Sequence, residues 1–166
     1  NSALNSHILN YAVDIYDAEG RVSESTTHIE YFSSSGFSSS NIEKLYSYND
    51  NGTLKKEQIN SSAVPTTIID YSYDCLNRVT TVDRRIDGFR YTSDYTYYLN
   101  EIKTNGLVSE FTNEINGTET TYNYEYDSNG NITSISQGGN EVTYTYDDLG
   151  QLVTEYDGTY TRNYIY

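Results

Sequence analysis

Residues 141–147 alternate strictly. Val142, Tyr144 and Tyr146 fall on one side of an extended chain and Thr143 and Thr145 on the other. Such period-two patterning is the signature of a half-buried β-strand. Tyr160, Arg162, Tyr164 and Tyr166 continue it near the end of the chain. Thr, Tyr, Val and Ile fill these runs and favour a pleated, half-buried surface. Between the runs lie turn pairs: Asn51-Gly52, Asp87-Gly88, Asn105-Gly106, Asn116-Gly117, Gly138-Gly139 and Asp157-Gly158. Asn-Gly and Asp-Gly between alternating runs are strong hairpin signals. The single proline, Pro65, lies in the 61–67 stretch and suits a loop or a sheet edge. Helical periodicity is weak throughout, so the pattern predicts an all-β chain of antiparallel hairpins.

The strands recur with a motif. Two tyrosines at i and i+2 are followed by Asp or Asn, then by Gly four residues after the second tyrosine, then by an aliphatic residue two further on. Tyr46-x-Tyr48-Asn49 runs to Gly52 and Leu54, Tyr124-x-Tyr126-Asp127 to Gly130 and Ile132, and Tyr144-x-Tyr146-Asp147 to Gly150 and Leu152. Tyr71-x-Tyr73-Asp74 has Asn77 in place of Gly and reaches Val79. A first copy at Tyr16-Asp17 keeps Gly20 and Val22 but has Asp14 for the first tyrosine. A worn copy begins at Tyr95-x-Tyr97, and a last one at Tyr164-x-Tyr166 is cut off. With anchors at Tyr16, Tyr48, Tyr73, Tyr97, Tyr126, Tyr146 and Tyr166, the final spacings are 20 residues and the earlier ones longer. The stretch from Phe32 to Gly36 sets an aromatic and a glycine four apart, as another worn copy would. The short spacing reads as the basic unit and the longer ones as the same unit with extended hairpin tips.

Each position has a physical role. Period two puts both rings on one strand face. Asp or Asn can hold backbone N–H groups two residues on, and Gly accepts a positive φ, as Asn does next best. The aliphatic residue begins the return strand. About thirteen to fifteen short strands result, and so many strands in one sheet should curl or spiral. The residues expected to carry the structure are the paired rings Tyr46, Tyr48, Tyr71, Tyr73, Tyr124, Tyr126, Tyr144 and Tyr146. The turn residues Asp17, Asp74, Asp127, Asp147, Gly20, Gly52, Gly130 and Gly150 complete the set. Residues 1–166 are expected to form a single repeat array.

Composition sharpens this picture. There are 20 Tyr and 4 Phe against no Trp and no Met, and apolar content is 36%. What can be buried is mostly ring with a hydroxyl attached, and a buried hydroxyl needs a partner. Absence of Met suggests an internal piece of a longer protein. The formal charge of −14 disfavours nucleic acid and anionic membrane surfaces as partners. No apolar run reaches the ~20 residues that a membrane helix needs. Cys75 has no internal partner and is expected to sit buried as a small apolar group, with pairing between chains as the other option.

Candidate chemistry is thin. His7 and His28 share no ligand spacing, and Cys75 is the one thiol, so neither a metal nor another cofactor is implied. Asp147-Asp148 and the Asp14/Asp17 pair could serve a glycosidase, but they occupy recurring turn positions. The Asp127–Asn131 and Asn49–Gly52 segments look loosely like calcium loops without the spacing of an EF-hand. No nucleophile elbow or phosphate loop occurs. The chain is expected to be no enzyme.

The pattern Tyr-x-Tyr-Asp-x-x-Gly-x-Leu resembles the YD repeat of Rhs-type proteins, clearest at 124–132 and 144–152 and close at 46–54 and 71–79. That family takes in Rhs and wall-associated polymorphic toxins, toxin-complex components and teneurins. The resemblance implies repeats that spiral into a hollow β-shell, enclosing a toxic domain in the toxins and forming an adhesive scaffold in teneurins. It implies a structural wall segment of a secreted or cell-surface protein, bacterial and extracellular. Toxin shells end in an aspartate- and proline-containing self-cleaving segment; nothing like it is present, so no cleavage activity is expected. The remaining repeats of the parent protein are the implied partners, and unpaired strand edges invite edge-to-edge self-association. The alternative is a module that binds cell-wall or host glycans through exposed tyrosines.

Overall fold

The computed structural model describes residues 7–33, 36–98 and 106–166. Among them are thirteen strands and no helix: β1 (His7–Tyr16), β2 (Val22–Ser33), β3 (Gly36–Tyr48), β4 (Leu54–Ser61), β5 (Thr67–Tyr73), β6 (Val79–Ile86) and β7 (Phe89–Tyr97). Then come β8 (Val108–Ile115), β9 (Thr118–Tyr126), β10 (Ile132–Gln137), β11 (Asn140–Tyr146), β12 (Leu152–Tyr156) and β13 (Thr161–Asn163). Strand order in the sheet is the order of the sequence. The architecture is the antiparallel meander that the alternating pattern predicts. No helix among the described residues is long and apolar enough to cross a membrane.

The chain forms two compact units, residues 1–72 with 83–90 and residues 73–82 with 91–166. In the first, β1 pairs with β2, β2 with β3, β3 with β4 and β4 with β5. In the second, β7 pairs with β8, β8 with β9, and so on to β12 with β13.

Two kinds of turn join the strands. One is the two-residue turn with both residues at positive φ. Asn116 (φ 48) and Gly117 (φ 87) link β8 to β9, and Gly138 (φ 57) and Gly139 (φ 86) link β10 to β11. Asp87 and Gly88 take the same conformation between β6 and β7. This mirror-image turn matches the twist of the flanking strands, which is why Asn-Gly and its kin are selected there. In the second kind the motif itself turns the chain. After Tyr16, Tyr48, Tyr126 and Tyr146 the register slips by one residue, so that Tyr16 faces Val22, Tyr48 faces Leu54, Tyr126 faces Ile132 and Tyr146 faces Leu152. Each slip is a β-bulge. The worn copy has it too, with Tyr97 opposite Val108.

The Phe32–Gly36 stretch is a different object. Phe32 faces Phe37 and Ser33 faces Gly36 in unbroken register, so this is the tip of the long β2–β3 hairpin and carries no bulge. Ser34 and Ser35, like Asn105 of the Asn105-Gly106 pair, lie outside the described residues.

Burial is shallow. Val82 is the buried apolar residue among those described, with Thr92, Ser93 and Ser134 buried beside it. Packing relies instead on half-buried rows. In Tyr46-Ser47-Tyr48, Tyr71-Ser72-Tyr73, Tyr95-Thr96-Tyr97, Tyr124-Glu125-Tyr126 and Tyr144-Thr145-Tyr146 the rings are half-buried and the residue between is exposed. Two expectations are corrected here. Cys75 is exposed, because the residue after the turn aspartate points away from the sheet; Leu76 beside it is 63% exposed. The last alternating run is strand only over Thr161–Asn163, and Tyr160 and Tyr166 are exposed at its ends.

Candidate functional site

The recurring motif is the most organised feature of the chain. Its turn is built around the aspartate. In the Asp127 copy the backbone N–H of Asp127 donates to Asn131 O (2.9 Å) and that of Gly130 donates to Asp127 O (3.2 Å). Asp127 Oδ1 accepts from the N–H groups of Asn129 (2.8 Å) and Asn131 (2.9 Å), while Oδ2 accepts from Asn131 Nδ2 at 2.9 Å. Asp17, Asp74 and Asp147 repeat the backbone pattern. For Asp17 and Asp74 the second oxygen accepts from Arg21 Nε (2.7 Å) and Arg78 Nε (2.6 Å). At Asp17, Asp74 and Asp127 one carboxylate thus closes the loop by taking three donors.

The electrostatics follow. The Arg78 backbone N–H, then its guanidinium, hold the Asp74 carboxyl below its usual value against a desolvation cost. The amide side chain and backbone N–H of Asn131 do the same for Asp127. At Asp17 desolvation pushes upward and the bonds from Arg21 and Glu19 outweigh it. These oxygens face N–H donors, which at Asp17 and Asp74 include an arginine guanidinium. Among the described residues no group of three His, Cys, Asp or Glu side chains could hold a metal ion.

The fourth position takes a positive φ in five copies. It is 80° at Gly20, 86° at Gly52, 88° at Gly130 and 77° at Gly150, and Asn77 adopts 61° where Gly is missing. In the Asn49 copy the chemistry is shared out: Asn49 Nδ2 donates to Thr53 Oγ1, and Asn51 Oδ1 accepts from the Thr53 N–H.

A second device ties four of the copies to the copy before. Pairing of β9 with β8 stops at Asn123, opposite Glu110, so the carbonyl of Val108 lies outside that ladder. Tyr126, three residues beyond Asn123, closes the gap by donating its hydroxyl to Val108 O at 2.9 Å. The same bond recurs from Tyr48 to Val22 O (2.8 Å), from Tyr97 to Val79 O (2.7 Å) and from Tyr146 to Ile132 O (2.8 Å). The acceptor is always the aliphatic residue that starts a return strand. At Val22, Val108 and Ile132 the acceptor stays paired opposite its own tyrosine, and the bulge skips the residue after it (Ser23, Ser109, Thr133). The ladder to the next strand ends two residues away, at Glu24, Glu110 and Ser134, which leaves the acceptor carbonyl to be satisfied by a side chain.

Cations reinforce the tie. The Arg21 guanidinium carbon lies 4.5 Å from the Tyr48 ring centre, and that of Arg78 lies 4.3 Å from the Tyr97 ring centre. In the worn copy Tyr98 stands where the aspartate would be. Its N–H donates to Leu107 O, its hydroxyl donates to Tyr124 O, and its ring meets Tyr126 edge-on at 6.1 Å. Burial pushes up the phenols of Tyr46, Tyr73, Tyr97, Tyr124, Tyr126, Tyr144 and Tyr146.

The expected ring positions Tyr48, Tyr126 and Tyr146 therefore sit in hydroxyl-to-carbonyl ties, and Tyr46, Tyr71, Tyr73, Tyr124 and Tyr144 are half-buried on the strands. The sequence reading omitted Tyr97, Tyr98, Arg21, Arg78 and the acceptor carbonyls. The spacing of Tyr95-x-Tyr97 and the Arg following the turn position were visible signals; a backbone acceptor leaves none.

Two solved structures bear a distant likeness to the chain. A chain in "Crystal Structure of TcdB2-TccC3-Cdc42" aligns at TM-score 0.46 and 14% identity over 84% of this chain. This chain spans only 9% of that one. A porin-like protein from Bacteroides uniformis ATCC 8492 aligns at TM-score 0.42 and 14% identity, over 96% of this chain and 88% of the other. Likeness at this level carries no functional weight. No curated protein matches. The family model described as Teneurin YD-shell, however, matches residues 2–164, the span over which the turn and its tyrosine tie recur. The chain belongs to the teneurin YD-shell family.

Proposed function

We propose that this chain is a non-catalytic wall segment of a secreted or cell-surface YD-repeat protein, and that the wall encloses a cargo domain of the same protein. The observation that carries the reading is the tie between successive copies of the motif: the hydroxyls of Tyr48, Tyr97, Tyr126 and Tyr146 each satisfy a carbonyl of the copy before. A copy so built is incomplete alone and gains stability from its neighbour, the logic of repeat architectures. The tyrosines, aspartates and glycines of the motif act structurally. The carboxylates of Asp17, Asp74, Asp127 and Asp147 are engaged within the turns, and the hydroxyls of Tyr48, Tyr126 and Tyr146 in the ties. Membership of a shell family supports the wall reading, and the remaining repeats of the parent protein are the natural partners.

Limited proteolysis of the parent protein tests the enclosure. Expected is protection of the cargo segment while the wall is folded, lost together with the wall's own resistance when Tyr126 and Tyr146 are replaced by Phe. Cleavage of the cargo at the rate of the free segment, with the wall intact, would overturn enclosure. Recovery of the protein inside the producing cell but not outside would overturn the localisation.

A further inference from the structure

We propose that the first compact unit carries a binding site for a neutral oligosaccharide, on the face of the sheet formed by β1 to β4. The site is separate from the turn machinery, and the inference does not depend on the enclosure reading.

The register builds it. Tyr11 of β1 faces His28 of β2, and His28 faces Asn41 of β3, so the three side chains form one row on one face. The Tyr11 and His28 rings stack at 4.7 Å with 22° between planes, and Tyr11 remains 45% exposed. His28 Nδ1 and Asn41 Oδ1 are hydrogen-bonded at 2.9 Å, which fixes both side chains. The next row on that face runs from Val13 through Thr26 and Glu43 to Asn60. Asn60 Nδ2 donates to Glu43 Oε2 at 2.7 Å, while Asn60 Oδ1 accepts from Gln58 Nε2 (3.1 Å) and Thr66 Oγ1 (3.2 Å). The carboxylate of Glu43 is thus oriented before any ligand arrives.

Asn41, Glu43, Asn60 and Thr66 line a groove of about 390 Å³ together with Ser39 and neighbouring serines, and the Tyr11–His28 stack lies beside it in the row of Asn41. That size falls within the range of roughly 300–1,000 Å³ typical of small-molecule sites. The lining chemistry selects the ligand. Amides, hydroxyls and one carboxylate offer donors and acceptors side by side, which suits the paired hydroxyls of a sugar. Next to the groove, the Tyr11–His28 stack offers an aromatic surface for the apolar face of a pyranose. No Lys or Arg lines the groove. Glu30 lies one row further along the same face, opposite Ser39. Acidic sugars are therefore repelled, and neutral ones are not.

The experiment is an NMR titration of the amide-labelled 166-residue chain with cellotriose, maltotriose and chitotriose. Sialyllactose and trilysine serve as the anionic and cationic arms. Expected are saturable shifts at Tyr11, His28, Asn41 and Asn60 with at least one neutral sugar and none with sialyllactose. Asn41→Ala and Tyr11→Ser should each weaken binding roughly tenfold, as expected for losing one hydrogen bond or one stacking surface. Tyr160→Ser, which removes an exposed ring of the other unit, should leave it unchanged. Absence of saturable shifts with all three neutral sugars would overturn the proposal. So would Tyr11→Ser binding as tightly as the parent chain, or shifts at these amides with trilysine alone.

Discussion

The hydroxyl of Tyr126 donates to the backbone carbonyl of Val108 at 2.9 Å, across a point where the ladder between β8 and β9 has already ended. The bond does what a further rung of the ladder would do, but from a side chain. A half-buried carbonyl deprived of its donor keeps its desolvation cost, so the loss exceeds the modest net worth of an ordinary hydrogen bond.

Replacing Tyr126 or Tyr146 with Phe removes only that donor. Each change should cost about 1–2 kcal/mol in urea unfolding. Tyr16→Phe is the control. Tyr16 is 58% exposed, and its substitution should change stability by less than about 0.5 kcal/mol. Equal effects at Tyr16 and Tyr126 would remove the tie from the account.

Gly130 holds φ at 88°, and a Cβ there would meet Leu107 Cδ1 at 3.9 Å, an ordinary contact. Space is therefore not the constraint; backbone conformation is. Gly130→Val should destabilise by about 1–3 kcal/mol, the usual cost of forcing a β-branched residue into the left-handed region. Asn77→Gly should be neutral or slightly stabilising, since Asn77 already sits at φ 61° and Gly enters that region more readily. A Gly130→Val chain that unfolds at the parent's midpoint would contradict the turn geometry.

These two tests also mark what could be read in the residues. The turn was legible because its requirements are local: an acceptor at one position and a positive φ three positions later restrict the side chains to Asp or Asn and to Gly or Asn. Alternation gave the strands for the same reason. The tyrosine tie was not legible, because its acceptor is a main-chain oxygen and Tyr48 and Val22 are joined across a whole hairpin. Ring spacing suggested ring-on-ring packing, and the hydroxyls of Tyr48, Tyr97, Tyr126 and Tyr146 are where the ordered contacts occur. Cys75 was misread because composition says nothing about which turn position points outward. The worn copy kept its bulge although its aspartate is gone, since Tyr98 supplies the same backbone bond by a route no motif encodes.

Acid should loosen the turns. The carboxyls of Asp17, Asp74, Asp127 and Asp157 are all held below 3.8 in the folded chain. Their unfolded counterparts titrate at the ordinary value, so below it the unfolded chain takes up protons first. The contribution is present at neutral pH and is lost as pH falls below 3.8 and through the depressed folded values. Thermal midpoints measured from neutral pH down to about pH 2 should fall across that window. Asp127→Asn should start lower at neutral pH and fall less steeply. A parallel curve for the variant would mean that Asp127 is not among the groups responsible.

Alkali acts on the other half of the motif with the opposite sign. Burial raises the phenols of Tyr97, Tyr124, Tyr126, Tyr144 and Tyr146 above the ordinary 10.0. In the unfolded chain these groups lose their protons near that value, whereas the folded chain still holds them. Stability is then complete below pH 10 and is lost as pH rises through the raised folded values. Tyrosinate absorbance should rise in two stages. The later stage should come from the half-buried rings, together with loss of strand signal in circular dichroism. Ionisation of Tyr97, Tyr126 and Tyr146 also removes the proton that each donates to its carbonyl, so the second stage should be cooperative. A single smooth titration at the ordinary value, with strand signal intact, would show that these phenols are neither buried nor tied.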